Sequence, residues 1–236
     1  MELNNISVFL FSLWLILNAE FSSMETRRGN MFDKFSEVFS LSLLPDYVVA
    51  DMSNLKDTQQ SSIRQQSTIL SFPLTEQDKI DIKILETKFD NEKNCAGLAA
   101  PQIGITKRFI VFKVEKEAGV SQAFPKTVWI NPTYKKASEE TEMAYEQCFS
   151  VNGVTAPVKR YKRIHYTATD VDGNAVQGTA EGFAARVIQH ETDHLDGILF
   201  IDLVASRKKI ITVKELKRRL KKLEENENRK KEQPTL

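Results

Sequence analysis

Phe183-Ala184-Ala185-Arg186-Val187-Ile188-Gln189-His190-Glu191-Thr192-Asp193-His194 is the stretch whose reading decides the fold. It carries no Pro and no internal Gly, and Gly197 follows just past its end, so it reads as a helix with a stop signal. On a helix, residues four apart lie one turn above each other on one face. His190 and His194 therefore stand side by side and can share a metal ion. Glu191 sits roughly 100° further round, within reach of a water on that metal without being a ligand. The chain has three histidines, and two fall in this pattern. The third, His165, alternates along a strand-like run with no evident partner and is assigned no chemistry.

Length and composition set the frame. A chain of 236 residues holds one good-sized domain with extensions, or two small ones. The two cysteines, Cys95 and Cys148, are too few for a secreted disulfide framework and read as thiols in a reducing compartment. The net charge of +1 says nothing of partners, but its distribution does. Residues 206–236 hold twelve Lys/Arg and five Asp/Glu, a net of +7, so residues before 206 total −6. Val213, Leu216, Leu220 and Leu223 recur there at helical spacing. Two readings stand for this tail: a solvated helix docked by its apolar stripe, or a basic arm reaching a polyanion such as RNA.

Residues 6–17 (ISVFLFSLWLIL) are strongly apolar but short of the roughly 20 residues that a membrane span needs. The preceding residues carry Glu2 and no basic side chain, which is wrong for a signal peptide. Three readings stay open: a weak signal or membrane anchor, an apolar helix docked on the domain, or sequence ahead of a true start at Met24 or Met31. Residues 35–44 suggest a short amphipathic helix ending before Pro45, and residues 51–66 read as a polar linker. A helix is expected over 75–91, capped by Thr75. A tight, small-residue loop follows at 94–104. Strands are expected over 108–114, over 127–130 with Asn131-Pro132 ending it, and over 143–151; 164–170 and 175–179 form a hairpin about Val171–Asn174. Strands around one central helix make an α+β fold of mixed antiparallel sheets, with a charged C-terminal helix. The expected division is an N-terminal extension (1–60), a catalytic domain (61–203) and the basic helix (204–236).

Two imidazoles need a third protein ligand and an open position for water, and Cys148 is the best candidate. Three motifs in order then carry a resemblance: Gly97-Leu98-Ala99-Ala100-Pro101-Gln102, Glu146-Gln147-Cys148-Phe149-Ser150 and His190-Glu191-Thr192-Asp193-His194. They are similar to the GxGLAAxQ, EGCLS and HExDH motifs of the peptide deformylases, and the resemblance runs from about Ile63 to about Leu203. It implies one divalent metal on Cys148, His190 and His194, with Fe2+ the leading candidate and Zn2+, Ni2+ or Co2+ also compatible. It implies removal of the N-terminal formyl group from formyl-methionyl nascent polypeptides. The metal activates water, and Glu191 takes its proton and passes it to the leaving amine. The Gln102 amide and the Phe149 backbone N–H meet the oxyanion. Substrate contacts are expected from Ala96, Gly97, Phe183, Arg186 and Val187. Glu146 is expected to orient a ligand or pair with Arg160.

The sequence departs from the family pattern at Cys95 and Gln147, each in place of Gly, at Phe149 in place of Leu, and at Asn152 in place of Pro. Arg186, one turn before His190, lies where the family has an apolar side-chain pocket. It points away, pairs with an acid, or changes the side-chain preference. The alternatives to a deformylase are another metallohydrolase such as a peptidase, or an inactive relative that binds nascent chains or the ribosome. Expected partners are formylated nascent chains and ribosomal RNA through the basic helix, no DNA, and a membrane only through residues 6–17. The expected compartment is the cytoplasm, or an organelle or membrane if residues 1–23 are a targeting segment.

Overall fold

A computed structural model describes residues 44–50, 61–116 and 121–232. The apolar run 6–17, the helix expected over 35–44 up to residue 43, and most of the linker expected over 51–66 lie outside the described residues. Among those described, no helix is long and apolar enough to cross a membrane.

The order is β1 (Gly97–Ala99), β2 (Phe109–Val114), β3 (Phe124–Lys136), β4 (Thr141–Cys148), β5 (Val151–Tyr161), β6 (Arg163–Thr169), β7 (Ala175–Glu181) and β8 (Ile211–Thr212). Helix α1 (Glu76–Asn91) precedes β1, α2 (Gly182–Leu195) follows β7, and α3 (Val213–Glu232) follows β8. One antiparallel sheet has the order β1-β2-β3-β6-β7, and a second has β4-β5-β8. This is the expected α+β fold, with the metal-pattern helix α2 at its centre.

Local chemistry explains the elements. Thr75 caps α1 through a capping box with Asp78, so the helix starts where the sequence places it. Strand β2 is FIVFKV, apolar almost throughout because both its faces are buried. Ile110, Phe112 and Val114 face α2 residues Ala184, Ala185, Val187 and Ile188. Phe109 and Val111 join Ile82, Leu85 and Phe89 of α1. Helix α2 buries eleven of its fourteen residues, so its polar side chains must find partners inside the protein. It ends at Leu195, two residues before Gly197, whose φ of 72° is the left-handed conformation that L side chains avoid.

Two expectations are corrected. Asn131-Pro132 does not end β3. The strand runs on through a bulge between Ile130 and Thr133, with Asn131 at a φ of 51°. The Asn131 amide stands in for a missing strand partner: it accepts from Leu70 N–H at 3.0 Å and donates to the Leu70 carbonyl at 2.9 Å. The strand expected over 143–151 ends at Cys148, and a further strand, β5, for which nothing was expected, begins at Val151. On one side β5 pairs with β4 through Pro157 opposite Tyr145, and on the other β8 pairs only with Val154 and Thr155. The apolar stripe of α3 docks only at its start. Leu220 and Leu223 are 49% and 59% exposed, with no cover among the described residues beyond the first turns.

Candidate metal centre and catalytic cleft

Helix α2 brings His190 and His194 to one face, and the end of β4 brings Cys148 to meet them. Ligand atoms of the three lie within 4.8 Å of one another. Cys148 Sγ is 3.3 Å from His194 Nε2. The His190 Nδ1 hydrogen goes to Glu146 Oε2 at 2.9 Å, because a carboxylate can only accept. That leaves the Nε2 lone pair of His190 free for a cation. Burial, with the nearby charges of His190 and Arg160, pushes the pKa of His194 well below its ordinary value, which favours the neutral, ligating form. His190 goes the other way. Burial opposes its charge, but the hydrogen bonds with Cys148 and Glu146 outweigh it, and a cation would compete with that proton. Gln102 Nε2 and the Ser150 backbone N–H each donate to the Cys148 sulfur at 3.4 Å.

The donor set fits a metal on two further observations. One thiol and two imidazoles suit a first-row divalent ion. Glu191 Oε2 is buried beside them with no partner among the described residues. Burial, reinforced by Glu146 and Asp193, pushes the Glu191 carboxyl up to about 7. A divalent cation nearby would pull it back down.

A cavity of about 380 Å³ joins these groups. Its walls hold Gln102, Cys148, Phe149, His190 and Glu191, together with Ala96, Gly97, Phe183, Arg186 and Val187. Every site residue expected from the sequence is therefore in one place, with His194 fully buried behind the wall. Strand β1 is the edge of its sheet. The Gln102 amide is fixed in direction, since its Oε1 accepts Ala99 N–H at 2.8 Å. A Cβ on Gly97 would stand 2.5 Å from Glu191 Oε1, so only glycine leaves room for that carboxylate. Phe183 is 47% exposed and sits at the rim.

The chain belongs to the polypeptide deformylase family. Its residues 52–210 match that family's model. "Peptide deformylase 2" of Rickettsia conorii is 50% identical over 192 residues, which is 78% of this chain and 95% of the relative. Among solved structures, a peptide deformylase from Synechococcus elongatus in complex with actinonin is 32% identical, with a TM-score of 0.53 over 64% of this chain and 78% of that one. The peptide deformylase of Thermotoga maritima is 30% identical, with a TM-score of 0.52 over 68% of this chain and 99% of that one. The protein is thus a metal-dependent hydrolase that removes N-terminal formyl groups from nascent polypeptides.

Behind the deformylase centre lies a buried charge network. Glu146 accepts from Arg160 Nε at 2.9 Å, Arg160 Nη2 at 3.0 Å and Arg186 Nη1 at 2.7 Å, besides His190. Arg186 also donates to the carbonyls of Val158 and Glu142. Of the three readings of Arg186, the structure has the one in which it pairs with an acid. Arg160 also bonds Asp193, which accepts from Tyr134 Oη at 2.8 Å. Burial alone would raise the Glu146 carboxyl, but its His190 and Arg160 partners hold it well below the usual range. Sequence reasoning missed Asp193, although its place inside the His-Glu-x-Asp-His motif signalled a role. It also missed Gln189, which clamps α2 to the backbone of Tyr161 from both its amide atoms.

Proposed function

We propose that Cys148, His190 and His194 hold one divalent ion, Fe2+ in the cell, with Zn2+, Ni2+ or Co2+ able to occupy the same donors. The observation that carries this reading is the convergence of the three ligand atoms beside the unpartnered Glu191 carboxylate. When bound, the ion supplies Lewis acidity, polarising a carbonyl and making water more acidic. Glu191 takes the water proton and delivers it to the leaving amine. The Gln102 amide and the Phe149 N–H stabilise the oxyanion. The substrate backbone lies along the open edge of β1 at Ala96 and Gly97. Val187, Phe183 and the aliphatic part of Arg186 receive the first side chain, which we take to be methionine. With its guanidinium committed to Glu146, Arg186 presents no free charge to that side chain.

Residues 61–203 form the catalytic unit in this reading, and 204–236 an appended basic helix. The exposed, basic α3 is assigned to ribosomal RNA, whose phosphates its Lys and Arg side chains would meet. The place of action is the cytoplasm, or an organelle should residues 1–23 be a targeting segment. Formate release from a formyl-Met tripeptide by anaerobically metal-loaded protein tests the site. Glu191→Ala is expected to lower kcat about 100-fold or more while one metal ion per chain is retained. Full activity in that variant would remove Glu191 from the mechanism, and loss of the metal in Cys148→Ala is required.

A further inference from the structure

Residues 44–50 lie upstream of the family match, which begins at residue 52. They run beside the catalytic cleft and are tied to it at two points. Val48 N–H donates to the Gln102 carbonyl at 2.8 Å, and Ala50 N–H donates to the Ser150 carbonyl at 2.8 Å. The Tyr47 ring stacks on Phe149, with centroids 4.8 Å apart and planes 6° from parallel. Lys88 of α1 places its Nζ 4.5 Å from the centroid of the same ring. Burial, and the Glu92 carboxylate close enough to accept from the hydroxyl, push the Tyr47 phenol well above its ordinary pKa. Val48 and Ala50 pack into the cluster that includes Cys148 and Val151.

We propose that Tyr47 is a positioning residue of the oxyanion site, holding Phe149 by stacking while the Val48 bond holds the backbone of Gln102. This rests on the assignment of the Phe149 N–H and the Gln102 amide as oxyanion donors. Such donors act through being fixed before the reaction, and small displacements cost rate. Phe149 sits in the short connection between β4 and β5, next to a register shift between Glu146 and Cys148. The turn it occupies is closed by the Cys148–Val151 pairing, and its side chain is gripped besides. A stacked aromatic pair, with a cation close to one ring, supplies that grip. The family's usual residue at this place is Leu, so the tyrosine and the phenylalanine make one device.

Steady-state formate release from a formyl-Met tripeptide tests this with the full chain, metal-loaded, as wild type, Tyr47→Ala, Tyr47→Phe, Phe149→Leu and the double variant Tyr47→Ala/Phe149→Leu. Tyr47→Ala is expected to lower kcat about tenfold with KM changed less than about twofold. Tyr47→Phe keeps the ring and restores kcat. The double variant is expected to be no slower than Tyr47→Ala alone, because both changes break one stack. A wild-type kcat in Tyr47→Ala, a loss confined to KM, or losses that multiply in the double variant would each overturn the inference. Should Tyr47→Ala not fold, Phe149→Leu breaks the same stack from the other side and keeps the N–H, and an unchanged kcat there is equally fatal. Gln102→Ala is measured in parallel. If it leaves kcat unchanged, the oxyanion assignment falls and the inference with it; if it lowers kcat and Tyr47→Ala does not, the inference alone falls.

Discussion

Replacing Glu146 with Gln removes one negative charge from the centre of the buried network and leaves its shape nearly unchanged. Arg160, Arg186, Glu146 and Asp193 now balance two positive charges against two negative ones. After Glu146→Gln, Arg160 keeps Asp193, while Arg186 is left with the carbonyls of Val158 and Glu142 and no carboxylate. The Arg160, Glu146 and Arg186 side chains are 3%, 5% and 9% exposed, so water cannot take over the lost interaction. Removing one partner of such a pair costs about 3–5 kcal/mol, because a buried charge is left without compensation. At about 2–4 °C per kcal/mol for a domain of this size, Tm falls by about 10 °C. The loss also reaches the metal, since Glu146 holds His190 through Nδ1. A weaker hydrogen bond there lowers metal affinity by about 10–100-fold. Thermal unfolding of metal-free protein and competition against a chromogenic chelator read the two effects separately. The double variant Glu146→Gln/Arg186→Met restores the charge balance, so it is expected to be more stable than the sum of the single losses by at least about 1 kcal/mol. Additive losses, or a Glu146→Gln protein with wild-type Tm and metal affinity, would refute the reasoning.

Further outcomes follow from the same geometry. Gly97→Ala sets a methyl group against the Glu191 carboxylate. It is expected to cost about 1–3 kcal/mol in kcat/KM through displacement of that side chain, with metal content unchanged. Asp78 closes the α1 capping box and bonds Lys107 Nζ at 2.6 Å. Burial alone would raise its carboxyl, but the Lys107 and Thr75 bonds hold it below the ordinary value. Its stabilisation is therefore present above pH ~4 and is lost as pH falls through the lowered folded pKa. Urea unfolding should find Asp78→Asn less stable by about 1–2 kcal/mol at neutral pH and level with wild type near pH ~2; a gap that persists in acid refutes this. A chain ending at Leu216 keeps β8 on β5 and removes most of α3. It should co-sediment less with ribosomes in low salt while releasing formate at the wild-type rate, and undiminished co-sedimentation would refute the RNA role of the tail.

Patterns that act over one or two turns were legible before the fold. The helical spacing of His190 and His194, the Thr75 cap and the hairpin about Val171–Asn174 each depend on residues close in sequence, where backbone geometry alone decides what can meet. Gly97 was also expected at the site, but for its backbone; its fit against Glu191 needed the approach of two distant segments.

The His190–His194 helix was fixed by the sequence itself, because a helix sets i and i+4 side by side whatever surrounds it. What surrounds it was decided only by tertiary packing. Arg186 reads in sequence as a charge in an apolar pocket, and β4 supplies the Glu146 that neutralises it from forty residues away. Asn131-Pro132 reads as a strand end, and Leu70 supplies the bonds that carry β3 through it. Tyr47 lies in a stretch with no local signal and meets Phe149 across about a hundred residues of chain. In each case the deciding energy is a contact between segments far apart in sequence, and periodicity and propensity carry no information about such contacts.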